Sequence, residues 1–205
     1  MRIICMADAI AEFWRRAGVS EPLILASSSP RRADLLRAVG CPFEVVPPDY
    51  DEGSYGPWDG GEHLRSLAVE KAERVRALRR GRTVLAADTV VLVDNRVLGK
   101  PADPVEAAAM LSLLSGREHE VWTALCYFPP GGGPARQAAV STRVTFRALS
   151  AGEIAAYVAT GEPLDKAGAY GIQGLGGLWI SRIEGCYFNV VGLPLSALWD
   201  LVQSR

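Results

Sequence analysis

One stretch, Val84–Leu98, limits the fold more than any other. VLAA is an apolar run with the character of a buried strand, and it ends at Asp88-Thr89. Val90 to Leu98 then reads as a hairpin turning at Asp94-Asn95. A strand that runs straight into a hairpin does not fit a regular parallel sheet, where each strand needs a long crossover. The rest of the chain mixes the same two styles. Leu23–Ala26 and Phe43–Val46 are short strands separated by a helix. Val121–Phe128 and Val140–Phe146 are strands joined by the loop PPGGGP, and Val140, Thr142, Val144 and Phe146 share one face at period two. Helix-spaced apolar residues occur at Leu64, Leu67, Ala68, Ala72 and Val75. A further helix starts at Asp103-Pro104 and closes at Gly116, and another follows the capping-box pair Ser150 and Glu153. Strands near Leu178–Ile183 and Tyr187–Val191, and a last helix after Pro194, complete the reading. The expected class is α/β, with a mixed twisted sheet and flanking helices.

Residues 1–22 read as an N-terminal extension. Ile10, Phe13, Trp14 and Ala17 recur at helical spacing, and their apolar stripe is expected to pack on the domain or on a partner subunit. The single domain is then 23–205. No run approaches the roughly 18 apolar residues that span a bilayer, and Asp8 and Glu12 interrupt the opening segment, so neither a membrane span nor a signal peptide is expected. Lys and Arg number 22 against 23 Asp and Glu, which gives a net charge of −1 and argues against a grip on long nucleic acid. Cys5, Cys41, Cys126 and Cys186 are far apart in sequence and read as reduced thiols of a cytoplasmic protein. With only His63 and His119 present, a multi-histidine metal site is excluded.

The chemistry-bearing candidates lie at element ends. Ser27-Ser28-Ser29-Pro30-Arg31-Arg32 joins a strand to a helix start, with Ser29 as cap and Pro30 in the first helical turn. Backbone N–H groups, serine hydroxyls and two guanidinium forks there suit a phosphate, and a capped helix with solvated arginines explains the segment equally well. Lys71 falls at the edge of an apolar helical stripe, where a snorkelling lysine is the simpler reading. Asp88, at the end of a buried strand, is placed to bind a divalent ion or to activate water; taken alone, it also reads as a turn residue. Asp51 and Glu52 offer further oxygen ligands. Lys100 in Gly99-Lys100-Pro101 and Lys166 in Asp165-Lys166-Ala167-Gly168 add cations next to turns. The glycines of 168–177 fail the dinucleotide fingerprint because they precede a strand instead of joining a strand to a helix. Neither a G-x-x-x-x-G-K-S/T loop nor a G-x-S-x-G elbow occurs. Five cations beside acidic Glu52 and Asp88 suit a nucleoside triphosphate with a metal ion.

The segments LILASSSPRRADLL, EKA, AADTVV, GKP, MLSLLSGREHEV, GEPLDKAGAYGIQGLGG and NVVGLPL resemble those of the Maf proteins, the septum-formation-inhibitor-like family of nucleotide pyrophosphatases. The resemblance runs from about residue 23 to 198. It implies a fold related to the inosine-triphosphate pyrophosphatases, with two lobes around a cleft. It implies hydrolysis of a nucleoside triphosphate to monophosphate and pyrophosphate with a divalent metal, Mg²⁺ or Mn²⁺, and a homodimer. By the same resemblance Asp88 is the proton acceptor and, with Glu52, a metal ligand. Arg31, Thr89 and Gln173 select substrate, and Ser27, Arg32, Lys71, Lys100 and Lys166 are further substrate-binding positions. Arg31 and Gln173 stand in the form of relatives acting on dTTP and UTP, and a glutamine amide can both donate to and accept from the imide edge of a pyrimidine. Two alternatives stay open at this point. One is the same chemistry on 7-methyl-GTP or non-standard purines; the other is a non-catalytic nucleotide-binding regulator of septation.

Overall fold

The computed structural model describes residues 6–50 and 57–204. In chain order its elements are α1 (Met6–Arg16), β1 (Leu23–Ala26), α2 (Pro30–Ala38), β2 (Phe43–Val45), α3 (Glu62–Leu78), β3 (Val84–Val93), β4 (Arg96–Leu98), α4 (Pro104–Leu114), β5 (Glu118–Phe128), β6 (Arg136–Phe146), α5 (Ala151–Ala159), β7 (Ile180–Glu184), α6 (Tyr187–Val191) and α7 (Leu195–Gln203). Three 3-10 segments, Glu162–Asp165, Ala167–Ala169 and Leu175–Trp179, lie between α5 and β7.

One sheet runs β2-β1-β3-β5-β6-β7, with β4 paired to β3 off that path. β1 is parallel to β2 and β3, and every other pairing is antiparallel, so the sheet is mixed as its hairpins require. β3 organises the molecule. β5 follows one of its edges from Val84 to Leu92. The other edge is shared: β1 covers Val84 to Ala86, and β4 covers Val91 to Val93. Neither strand faces residues 87–90, and the sheet edge opens there.

Side-chain alternation along β3 distributes the core. Leu85 and Ala87 join Leu36, Leu193 and Leu198 under α2 and α7, while Val91 and Val93, farther along the same face, pack with α4 and α5. Val84, Ala86 and Val90, on the opposite face, meet Leu64, Ala68, Ala72 and Val75 of α3. Thus the first half of β3 belongs to one lobe and the second half to another. α1 adds to the first lobe: Trp14 is buried and donates from Nε1 to the Val39 carbonyl at 3.0 Å, and Phe13 stacks on Trp199 with centroids 5.0 Å apart. No helix of the described residues is long and apolar enough to cross a membrane. Cys41 and Cys126 are buried free thiols, which burial pushes up to about 12.

Four local expectations need correction. β3 does not stop at Asp88-Thr89; the polar pair sits mid-strand, where a neighbouring strand is missing on one side. Tyr187–Val191 is helical, because a short apolar run is the same signal in a strand and in a buried helix, and Gly185 and Gly192 at φ 127° and 116° turn the chain at both ends. The strand expected near Leu178 begins only at Ile180, since Leu175–Trp179 forms a 3-10 turn. Ser29 precedes α2 without a side-chain cap; its own N–H donates instead to Ser27 Oγ at 3.1 Å. The capping box of α5 and the left-handed Asp94-Asn95 turn are present as read.

Candidate functional site

The open edge of β3 leads into a cavity of about 500 Å³ between the two lobes. β1 delivers Ser27 at its end, and α2 begins three residues later, so the Ser27–Arg32 turn forms one wall. The floor is Asp88 of β3 together with Lys71 of α3. Period-two alternation places Asp88 between Ala86 and Val90 on the face covered by α3, and helical spacing places Lys71 among the buried residues of that helix. Lys71 Nζ donates to Asp88 Oδ1 at 2.8 Å, with the two side chains 5% and 4% exposed. Lys71 is therefore not a snorkelling lysine with its charge in water. Tyr50 also reaches the cavity, its ring 5.8 Å from Lys71 Nζ. A hydrogen bond with Glu70, then burial, pushes its hydroxyl up to about 12.

Thr89 points to the opposite face of the sheet, where it meets Arg32. The Arg32 guanidinium donates to Thr89 Oγ1 at 2.9 Å, to Ser27 Oγ at 3.1 Å and to the Gly192 carbonyl at 2.8 Å. Thr89 Oγ1 also pairs with Thr123 Oγ1 at 2.9 Å, and Thr123 donates to the Asn189 carbonyl at 3.2 Å. Arg32 thus ties β1, β3 and the end of α6 together.

The second wall comes from the segment after α5. Gly168 donates from N–H to the Gly99 carbonyl at 3.0 Å, which brings the Lys100 turn beside the Lys166 turn. Gly168 has φ +66°, and a Cβ there would lie 2.7 Å from Val91 Cγ2, so a side chain has no room. Asp165 sits between two cations: Arg31 Nη1 reaches its Oδ2 at 2.8 Å and Lys166 Nζ its Oδ1 at 2.6 Å. Partial burial alone would raise the Asp165 pKa, but the hydrogen bonds from Lys166 and Arg31 outweigh it and hold it below the usual carboxylate range. Behind this wall, Tyr170 Oη and His119 Nε2 are 2.8 Å apart in the core. Burial pushes His119 down to about 4, which keeps the ring neutral at physiological pH.

Of the residues singled out from sequence, Ser27, Arg31, Arg32, Lys71, Asp88, Thr89, Lys100, Lys166 and Gln173 all line this one cavity. Glu52, with Asp51, lies outside the described residues. Sequence reasoning missed Asp165 as a partner of Arg31, along with Tyr50, Tyr170 and the Thr123–Asn189 pair. Only Asp165 carried a local signal, its place beside Lys166 in DKAG. Among the described residues no three His, Cys, Asp or Glu side chains gather into a preformed metal cage. A cavity carboxylate such as Asp88 still fits Mg²⁺, which takes one or two protein carboxylates and completes its shell with water and phosphate oxygens.

The family described as Maf-like protein matches residues 22–205. The chain belongs to this family. Two relatives of the Maf-like chain show the level of similarity. It is 50% identical over 180 residues, 88% of this chain and 93% of the other, to a protein of Moorella thermoacetica named dTTP/UTP pyrophosphatase. It is 51% identical over 186 residues, 89% of this chain and 92% of the other, to the protein of that name from Methylobacillus flagellatus. Among solved structures, the Staphylococcus aureus Ham1 protein overlaps 62% of this chain and 72% of its own, at a TM-score of 0.42 and 16% identity.

Proposed function

We propose that this chain hydrolyses dTTP and UTP to the monophosphate and pyrophosphate, assisted by a divalent cation. One observation carries the reading. A single cavity holds the buried carboxylate Asp88, the cations Arg31, Lys71, Lys100 and Lys166, and the amide of Gln173, in a chain about half identical to proteins named dTTP/UTP pyrophosphatase. Arg31, Lys100 and Lys166 hold the triphosphate through charge-assisted hydrogen bonds, each worth about 1.5–3 kcal/mol. Arg32 keeps Ser27 and Thr89 in place. Lys71 holds the Asp88 carboxylate in place through the 2.8 Å contact, and Asp88 takes the proton of a water that attacks the α-phosphorus. The α–β anhydride bond breaks, and pyrophosphate leaves with the bridging oxygen. Asp88 would hold the divalent cation, which would supply neutralisation of the charge that develops on the leaving phosphates. Gln173, at the rim, pairs with the imide edge of the base. The same reading takes 23–205 as the catalytic domain, 1–22 as an appended segment and the enzyme as a homodimer, which sedimentation checks.

The test is pyrophosphate release from dTTP, UTP, dCTP, dATP, dGTP, inosine triphosphate and 7-methyl-GTP, with Mg²⁺ or Mn²⁺ and with EDTA. The expected outcome is fastest release from dTTP and UTP, abolished by EDTA. Preference for 7-methyl-GTP or inosine triphosphate overturns the substrate assignment. No release from any nucleotide overturns the enzyme reading and leaves a binding regulator.

A further inference from the structure

The backbone around Gln173 is fixed from outside by two side chains. The Gly174 N–H donates to the Gly171 carbonyl at 3.3 Å, closing a four-residue turn with Ile172 and Gln173 at its corners. The strand of chain entering the turn is held by Tyr157 of α5, whose hydroxyl accepts the Gly171 N–H at 3.2 Å. The chain leaving it is held by Glu162: Oε2 accepts the Leu175 N–H at 3.1 Å, and Oε1 accepts the Gly176 N–H at 3.4 Å. Tyr157 donates its hydroxyl proton to Glu162 Oε1 at 2.8 Å, which joins the two anchors.

The glycines make this closure sterically feasible. A Cβ on Gly174 would lie 2.2 Å from Glu162 Oε1, and one on Gly176 would lie 2.9 Å from Tyr157 Oη. An ionised carboxylate accepts only, which matches the three donors that face Glu162. Burial by itself would raise its pKa, but the hydrogen bonds from Tyr157, Leu175 and Gly176 outweigh it and hold the group below its ordinary range. The carbonyl of Glu162 also accepts from Lys166 Nζ at 2.6 Å, so the same residue orients a cation of the cavity wall.

We infer that Glu162 and Tyr157 are positioning residues which hold the Gln173 turn in register with the base and thereby set the pyrimidine preference. The inference rests on the pyrimidine pyrophosphatase reading above, in which Gln173 meets the base. Glu162→Gln replaces one accepting oxygen with an NH₂ that faces a backbone N–H or the Tyr157 hydroxyl. Tyr157→Phe deletes one donor and one acceptor but retains the ring that packs edge-on against Trp179, with centroids 4.6 Å apart.

The experiment measures kcat and KM of wild type and both variants on dTTP and on dATP, with Tm alongside. A ratio of two substrates does not depend on the folded fraction, so a merely structural role lowers Tm and total activity and leaves the ratio intact. Expected is a loss of the dTTP-over-dATP preference of about tenfold in Glu162→Gln and about threefold in Tyr157→Phe, carried by the KM for dTTP, since a displacement of about 1 Å can cost about 100-fold. Tyr157→Phe decides the matter if Glu162→Gln does not fold. A selective wild type with both ratios within about twofold of it overturns this inference alone. A wild type that does not prefer dTTP overturns the inference together with the reading beneath it.

Discussion

The floor and the rim of the cleft both carry ion pairs, and they differ in their access to water. At the floor, Lys71 and Asp88 meet at 2.8 Å with side chains at most 5% exposed. At the rim, Asp165 bridges Arg31 and Lys166 with 59% of its own side chain exposed. A buried pair has lost the hydration of both charges, so removing one partner leaves the other poorly compensated. An exposed pair gives up little when it opens, because water replaces what is lost. The floor is therefore a fixed device, whereas at the rim the exposed partner is the Asp165 carboxylate, and the side chains of Arg31 and Lys166 are 25% and 14% exposed. On the proposed reading, a polyphosphate would replace Asp165 as the anionic partner of Arg31 and Lys166.

That contrast can be broken by experiment. The largest effect is expected from Asp88→Asn, which should lower kcat by about 10³-fold, within the range of a lost acid–base group; near-normal turnover would remove Asp88 from the chemistry. The same variant should not be silent in stability, because it removes a buried carboxylate charge to which Lys71 Nζ donates. Lys71→Met and Asp88→Asn should each cost about 3 kcal/mol in urea unfolding, and the double variant less than the sum. Strict additivity would show that the floor pair is not coupled.

His119 sets a pH limit on the wall behind the rim. The unfolded chain binds a proton at this residue near pH 6.5, whereas the folded chain resists it until about 4. Protonation below 6.5 therefore favours unfolding. Stability is fully present above that value and falls by up to about 3 kcal/mol as pH drops toward 4. Urea melts at pH 7 and 4.5 should show the drop in wild type and a shallower one in His119→Gln; equal slopes would contradict the neutral buried ring. The smallest stability effect belongs to the rim. Arg31→Ala should raise the KM for dTTP about tenfold and cost under about 1 kcal/mol of stability. If it destabilised as strongly as Lys71→Met, the distinction between floor and rim would collapse.

Local signals carried much of the fold into the sequence. Asp94 and Asn95 adopt φ 48° and 63°, the geometry that residue pair tolerates, and Ser150 with Glu153 closes a complete capping box. Alternation along β6 and helical spacing along α3 are likewise properties of neighbours in sequence. The misreadings share the opposite cause. Asp88-Thr89 looks like a strand end because two polar residues interrupt an apolar run, yet what they mark is a missing neighbour that only tertiary pairing reveals. The run YFNVV fits either secondary structure, and Asn189 decides it by donating to the Val121 carbonyl at 2.9 Å and to Thr142 Oγ1 at 2.9 Å, contacts with β5 and β6. In the site, the resemblance supplied residue identities that spacing could not. Arg31 and Asp165 are 134 positions apart, and no periodicity announces their pairing. Glu162 was invisible for a related reason, since two of the three donors to its carboxylate are backbone amides, which leave no side-chain pattern to read.

The shared edge of β3 has one more consequence. Consecutive residues of a strand face opposite sides of a sheet, so a small guest resting on an unbroken sheet can touch Asp88 or Thr89 but not both. Where the gap between β1 and β4 leaves the edge of β3 uncovered, Asp88 and Thr89 both line the one cavity. The brevity of β1 and β4, four and three residues, is thus a dimension of that gap. Extending either by two residues would improve the sheet and shutter the opening.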